Sequence, residues 1–168
     1  MAERIEHRMY GLTPYNLSDI QKGIQFGHAV VEYQLHHGND PRYSSWANND
    51  KTFIILNGGT SNEGPDLGSM QIYLSELMEQ DWQVARFNEP DINNALTGIV
   101  WLVPEMVYDK EKYPDWIDYA IDKYGIDARE AKIHARNGSA DWQEWEKNVM
   151  LGSENVWMRN WVKQFRFA

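Results

Sequence analysis

Along the first third of the chain, Ile20, Ile24, His28, Val31 and Leu35 recur at spacings of four, four, three and four, one stripe of an α-helix. Ser-Asp-Ile-Gln at 18–21 has the form of a capping box, so the helix opens at Ser18 with Gln21 as its third residue. The stripe is the expected buried face. His28 lies within it and suits a buried structural histidine as well as a functional one. Gly23 and Gly27 each cost such a helix roughly 1 kcal/mol relative to Ala, which predicts that another backbone approaches there. Gly38 and the polar run that follows it predict a long connection with room for one helical turn.

Strand patterns flank this helix. HRMYGLTP at 7–14 reads as a short strand ending at Pro14. KTFIILN at 51–57 is apolar enough to predict a strand buried on both faces. A turn is expected over 57–69, and Leu67, Met70, Leu74, Leu77 and Met78 then mark a second amphipathic helix. WQVARFN at 82–88 alternates with period two, a turn follows, and LTGIVWLVP at 96–104 gives a fourth strand. The order is β-α-β-α-β-β. Crossovers of this length favour parallel pairing of the first three strands, with a final hairpin. The predicted fold class is α/β: a small mixed four-stranded sheet with two crossover helices, plus a helical C-terminal extension.

That extension has its own character. Pro114 stands near a helix start, Gly125 at its end, and D-A-R-E at 127–130 has capping-box form. Gly138-Ser139 and Gly152-Ser153 each mark a stop and a start, giving three or four short helices over 112–165. Trp116, Trp142, Trp145, Trp157 and Trp161 gather here, as a small core or as a stacking or partner surface. The expected domains are 1–108, the α/β unit, and 109–168, a Trp-rich helical extension packed on it.

Charge narrows the partners. Of the net −9, residues 1–108 carry six basic and 14 acidic side chains (−8), and residues 109–168 carry ten basic and 11 acidic (−1). Phosphate-rich ligands are held mainly by Lys and Arg, so tRNA is possible as a partner but disfavoured by charge. There is no cysteine, which removes disulfides and thiolate metal sites and suits a cytoplasmic setting. The first ten residues lack an apolar leader, and no apolar run approaches a membrane span, so no membrane association is expected.

No phosphate-loop lysine motif, zincin histidine spacing or nucleophile elbow is present. Neither a metal nor another cofactor is expected. What remains is the first helix, with Gln25, His28 and Ala29 following a short strand. It resembles the type 2 peptidyl-tRNA hydrolase family, which shows T-D-L-K-M-G-K-G-K and then Q-C-A-H-A. Without gaps, Thr13 falls on the family threonine, Gln25 on its glutamine, and His28-Ala29 on its His-Ala. The family's A-L-I-R-D-A-G-R-T-Q-I-A-P-G-T-V falls on residues 85–100, where Ala85 and Gly98 match and Glu89 takes the acidic position.

The resemblance covers residues 7–104 and implies hydrolysis of the ester joining a peptide to tRNA. Glu89 or Asp91 would be the base, and Lys22, Gln25 or His28 would orient or donate. Thr13 and Asn94 would contact substrate. The family's K-G-K run falls on Asp19, Ile20 and Gln21, and its arginine on Ile92. Lys22 comes one residue later, about 100° around the helix. Arg159, Lys163 and Arg166, after the last acid at Glu154, are the cations that could compensate. The lost lysines leave open a second class, a non-catalytic binding or inhibitor protein on the same scaffold. It would recognise a protein or small molecule, and a homodimer is possible.

Overall fold

A computed structural model of the protein describes residues 3–62 and 67–168. The centre of the turn expected over 57–69 lies outside these residues. The chain forms two compact units. One runs to Val103 and regains Phe165–Ala168; the other is Pro104–Gln164. The division comes five residues earlier than the 108/109 boundary expected from sequence, and the last four residues return to the first unit.

The first unit is a four-stranded mixed sheet in the order β2-β1-β4-β3, with β1 His7–Pro14, β2 Phe53–Gly59, β3 Ala85–Glu89 and β4 Ala95–Pro104. β1 and β2 pair in parallel from Met9↔Phe53 to Thr13↔Asn57, and β3 pairs antiparallel with β4. The third strand therefore does not join the first two by hydrogen bonding. β4 is inserted between β1 and β3, and its residues Leu96–Val103 are all buried. KTFIILN is likewise not a central strand: β2 is an edge, with Phe53 51% exposed. The returning tail covers that edge. Asn57 N–H donates to the Arg166 carbonyl at 2.8 Å and Ala168 N–H to the Ile55 carbonyl at 3.0 Å. The apolar run that suggested burial on both faces reflects this cover and the packing of one face.

Helix α1, Asp19–His37, opens at the expected capping box. Gln21 N–H donates to Ser18 Oγ and Ser18 N–H to Gln21 Oε1, each at 3.2 Å. Its orientation differs from expectation. Ile20, Ile24, Val31 and Leu35 are 77, 50, 58 and 72% exposed, and His28 is exposed with them. The face toward the sheet is Lys22, Gln25, Phe26, Ala29 and Tyr33, on the opposite side of the helix, packed on Met9, Val100 and Leu102. Both stripes have helical period, and periodicity alone cannot say which is inside. Phe26 and Tyr33 pack with Met9, Val100 and Leu102, and Ala29 lies against Gly98, so fit to the sheet rather than period sets the inner face. A Cβ on Gly23 or Gly27 would meet nothing within 4 Å, so neither glycine admits another element of this chain. The close approach comes from the sheet instead. Gly11 lies under the Phe26 ring, and a Cβ on Gly98 would come 2.8 Å from the Gln25 carbonyl oxygen.

The polar connection holds α2, Pro41–Ser45, and a π-helical turn, Trp46–Asp50. Helix α3, Ser69–Glu79, buries Met70, Leu74 and Leu77, whereas Leu67 and Met78 are exposed.

The second unit comprises α4 (Glu105–Tyr108), α5 (Trp116–Tyr124), α6 (Ala128–Asn137), α7 (Ala140–Asn148) and α8 (Ser153–Trp161). Gly125 and Gly138 end α5 and α6 in left-handed conformation, as their positions predict. Trp116 and Trp145 pack with Ala120, Ala131 and Met150 as its core. Their indole N–H groups donate to the carbonyls of Ala131 at 2.7 Å and Pro114 at 3.0 Å. Trp157 and Trp161 are half-buried and stack on each other at 5.3 Å.

Candidate active site

Of the expected residues of the first unit, Gln25, Glu89 and Asp91 meet where α1 crosses the hairpin of β3 and β4. β3 runs opposite to α1: Val84, before the strand, has its carbonyl 3.0 Å from His37 Nε2, and Glu89, at the strand's end, reaches Gln25. The pairing shifts between Phe87 and Asn88, leaving Thr97 without an opposite residue. Such a bulge turns a side chain out of strict alternation. Here it aims the Thr97 hydroxyl at Gln25 Oε1, 2.5 Å away. Because that oxygen accepts from Thr97, the Gln25 amide nitrogen points the other way and donates to Glu89 Oε2 at 2.8 Å. Glu89 Oε1 accepts the Asp91 N–H at 3.2 Å. Donation thus runs from Thr97 through Gln25 to Glu89, and the Asp91 N–H donates to Glu89 from the other side, so both paths end on the carboxylate.

This arrangement holds Glu89 ionised. The Gln25 hydrogen bond, then the Asp91 backbone N–H, outweigh desolvation and keep its carboxyl below the ordinary value, with a smaller contribution from His28. Each carboxylate oxygen has one protein donor and so retains capacity to accept from a water or hydroxyl.

Lys22 stands three residues before Gln25 on the same face of α1. Its side chain is only 14% exposed, and its ammonium is 3.9 Å from the fully solvated Asp19 carboxylate. Thr13 is fully buried on β1, and its hydroxyl has no hydrogen-bond partner among the described residues. Gly11, two residues earlier, faces Phe26, so alternation turns Thr13 toward the turn of α1 before Phe26, where Lys22 sits. His28 is not buried: its ring rests 4.6 Å from Phe87, beside the Glu89 end of β3. Asp91 and Asn94 are exposed on the connection between β3 and β4. Asp91 contributes its backbone N–H. Asn94 takes a left-handed conformation and contributes its carbonyl to Asn88 Nδ2 at 2.9 Å.

Arg159 is the clear correction among the expected substrate contacts. Its side chain is 3% exposed inside the second unit. The guanidinium donates to the carbonyls of Met106, Val107 and Tyr113 and to Asp115 Oδ1 at 3.0 Å. It ties α8 to α4 and to the start of α5, and no donor of it faces solvent for a phosphate. Burial alone would raise Asp115, but Arg159, Lys110 and Lys163 together hold its carboxyl below the ordinary value. Lys163 is exposed in the second unit, donating to Asn160 Oδ1 at 3.3 Å. Arg166 is exposed in the tail that pairs with β2.

Thr97 was absent from the expected set. Its only trace in the sequence is a polar residue followed by Gly98 inside an otherwise apolar strand. The first unit has a groove of about 540 Å³ between Glu32, His36, Leu74, Met78, Arg86 and Asn88. The second has one of about 580 Å³ lined by Lys132, Trp142, Arg159 and Lys163. Neither of these two grooves is lined by Gln25 or Glu89. Among the described residues, no three His, Asp or Glu side chains gather as metal ligands, and no helix is long and apolar enough to cross a membrane. No family model matches the chain, and no curated protein matches its sequence.

Proposed function

We propose that the first unit hydrolyses the ester between a peptide and tRNA. One observation carries this reading. Gln25, Glu89 and Gly98, aligned with the hydrolase family from separate parts of the sequence, converge at a single point. Gln25 bonds Glu89, and Gly98 lets the Gln25 backbone rest on the sheet.

In this reading Glu89 orients a water and accepts its proton as the water oxygen bonds to the ester carbonyl carbon. The carbonyl oxygen becomes an oxyanion beside the Lys22 ammonium. The carbon–oxygen bond to the ribose then breaks. The ribose oxygen takes the proton from Glu89, leaving a free tRNA hydroxyl and a peptide carboxylic acid. A carboxylate held below its usual pKa is a poor proton acceptor at neutral pH, so Glu89 contributes more by orientation than by basicity.

Electrostatics sets the expected affinity. Arg4 and Arg42 are engaged with Asp50 and Asp40, each at 2.6 Å, and the buried Arg159 is unavailable. Besides Arg4 and Arg42 the first unit has five cations, Arg8, Lys22, Lys51, Arg86 and Arg166, and each phosphate contact made would add roughly one unit of salt slope. The test is a tRNA titration of the intact chain at low and moderate salt, with Lys22→Ala and Arg166→Ala variants. Weak, salt-sensitive binding reduced by both substitutions supports the reading. No binding at low salt defeats it and leaves a non-catalytic role on the same scaffold, recognising a protein or small molecule.

A further inference from the structure

We infer that the outward face of α1 is a self-association surface, on which the same helix of a second copy packs antiparallel about a two-fold axis near Gly27. This does not rest on the hydrolase reading, since Lys22 and Gln25 lie on the helix's other face and His28, which shares this face with its ring against Phe87, takes no part in the proposed steps.

The first observation is exposure. Ile20, Ile24, Val31 and Leu35 form a line about 22 Å long at 1.5 Å per residue, and each is at least half exposed. The second is the absence of charge. In a chain that is 24% Asp, Glu, Lys and Arg, the stretch Ile20–Leu35 holds only Lys22, turned to the sheet, and Glu32, on the flank. Interface centres are depleted of charge in this way. The face offers nothing for an oppositely charged partner to recognise. It also places no like charges opposite one another where two copies would meet.

The third observation names the occupant. The large apolar residues are symmetric about the point between Gly27 and His28: Ile20 and Leu35 are equidistant from it, and so are Ile24 and Val31. A two-fold antiparallel pair requires this self-complementarity, because residue i meets j while j meets i. Ile20 of each copy would meet the Leu35–Val31 end of the other, and Ile24 would meet Val31. At the centre, Gly27 presents no side chain, and with Gly23 it has open space outside, so the two backbones can come close where the helices cross. Antiparallel packing also sets the opposed helix dipoles favourably.

The surface is small. About nine residues a side compares with the 20–30 of a standard interface burying about 800 Å² per partner. The helix pair therefore covers roughly 300 Å² per partner, and the dimer belongs to the weak, reversible class.

The chain has no cysteine, which gives a clean test. Ile20→Cys and Leu35→Cys chains, mixed at about 100 µM under mild oxidation, should form a mixed disulfide dimer. Each alone should cross-link no faster than Lys147→Cys, an exposed control in the second unit. In the proposed pair two copies of residue 20 stand about 22 Å apart, beyond the 3.5–4.5 Å Cβ separation a disulfide needs. Sedimentation of the unmodified chain should show a concentration-dependent dimer that Ile24→Asp abolishes without lowering the melting temperature. Self-cross-linking of Ile20→Cys would replace the antiparallel arrangement with a parallel one and overturn the inference. A chain that stays monomeric at a few hundred micromolar would overturn it too, and would leave the face to a different protein.

Discussion

Alanine in place of glycine should have opposite effects at two positions, Gly98 on β4 beneath α1 and Gly23 on α1 itself. Gly98 has no left-handed backbone angle, so alanine is conformationally allowed there and the question is one of space. Its Cβ would come 2.8 Å from the Gln25 carbonyl oxygen and 3.0 Å from the Ala29 Cβ. Both belong to helical backbone or its first side-chain atom, and neither can rotate away. α1 must shift, so the Gln25–Glu89 bond lengthens. Overpacking of this kind costs about 1–3 kcal/mol. At Gly23 a Cβ meets nothing within 4 Å, and the helix gains roughly 1 kcal/mol of propensity. The two variants should therefore differ by about 2–4 kcal/mol. With a urea slope of about 2 kcal/mol per molar, their unfolding midpoints should be separated by about 1–2 M, on either side of the parent. Urea titrations followed by tryptophan fluorescence and far-UV circular dichroism would read this. Similar midpoints for Gly98→Ala and Gly23→Ala would mean that α1 does not rest on β4 as described.

Three further outcomes follow from the same contacts. Arg159→Met should destabilise the second unit by about 3–5 kcal/mol, because it leaves the carbonyls of Met106, Val107 and Tyr113 without this donor; a loss under 1 kcal/mol in urea unfolding would contradict the role given to Arg159. Thr97→Val should cost about 1–3 kcal/mol by leaving Gln25 Oε1 without its donor, and the Gln25 side-chain amide protons should lose their protection in NMR exchange; unchanged exchange would speak against the directed chain. Glu89 favours its ionised form in the folded protein, so its contribution to stability is present above the ordinary value of 4.5 and is lost as pH falls below that through the depressed folded value. A carbon-detected NMR titration should place its midpoint below 4.5 and show Gln25→Ala moving it upward; a midpoint at or above that value in the parent chain would refute the assignment.

Much of the fold is legible in the sequence because capping and turn chemistry are local. Ser18 with Gln21, Gly125 and Gly138 fix helix ends through contacts made within a few residues, and the element order follows from them. The facing of α1 is not local. Its two stripes compete, and only packing on Met9 and Val100 decides that Phe26 and Tyr33 win over Ile24 and Val31. Pairing of β3 with β4 alone, and cover of β2 by the tail, likewise depend on partners distant in sequence. For the candidate site, Gln25 and Glu89 could be matched in advance. Thr97 could not, because its aim comes from a one-residue shift in strand pairing. Arg159 was misread because a cluster of late cations looks alike in sequence whether its members are solvated or, like Arg159, enclosed by carbonyls. A chain ending at Val156, an obvious truncation from the sequence, would remove a structural arginine, so point substitutions are the sounder probe of charge.

The central claim is that the Gln25–Glu89 site cleaves an ester of tRNA. The direct measurement is single-turnover release of labelled peptide from peptidyl-tRNA by the intact chain at low salt, compared with Glu89→Gln. Release above the spontaneous rate, lowered at least 100-fold by Glu89→Gln with circular dichroism and melting temperature unchanged, is the predicted result. Release equal to the spontaneous rate, or equally fast in the folded Glu89→Gln variant, would contradict it.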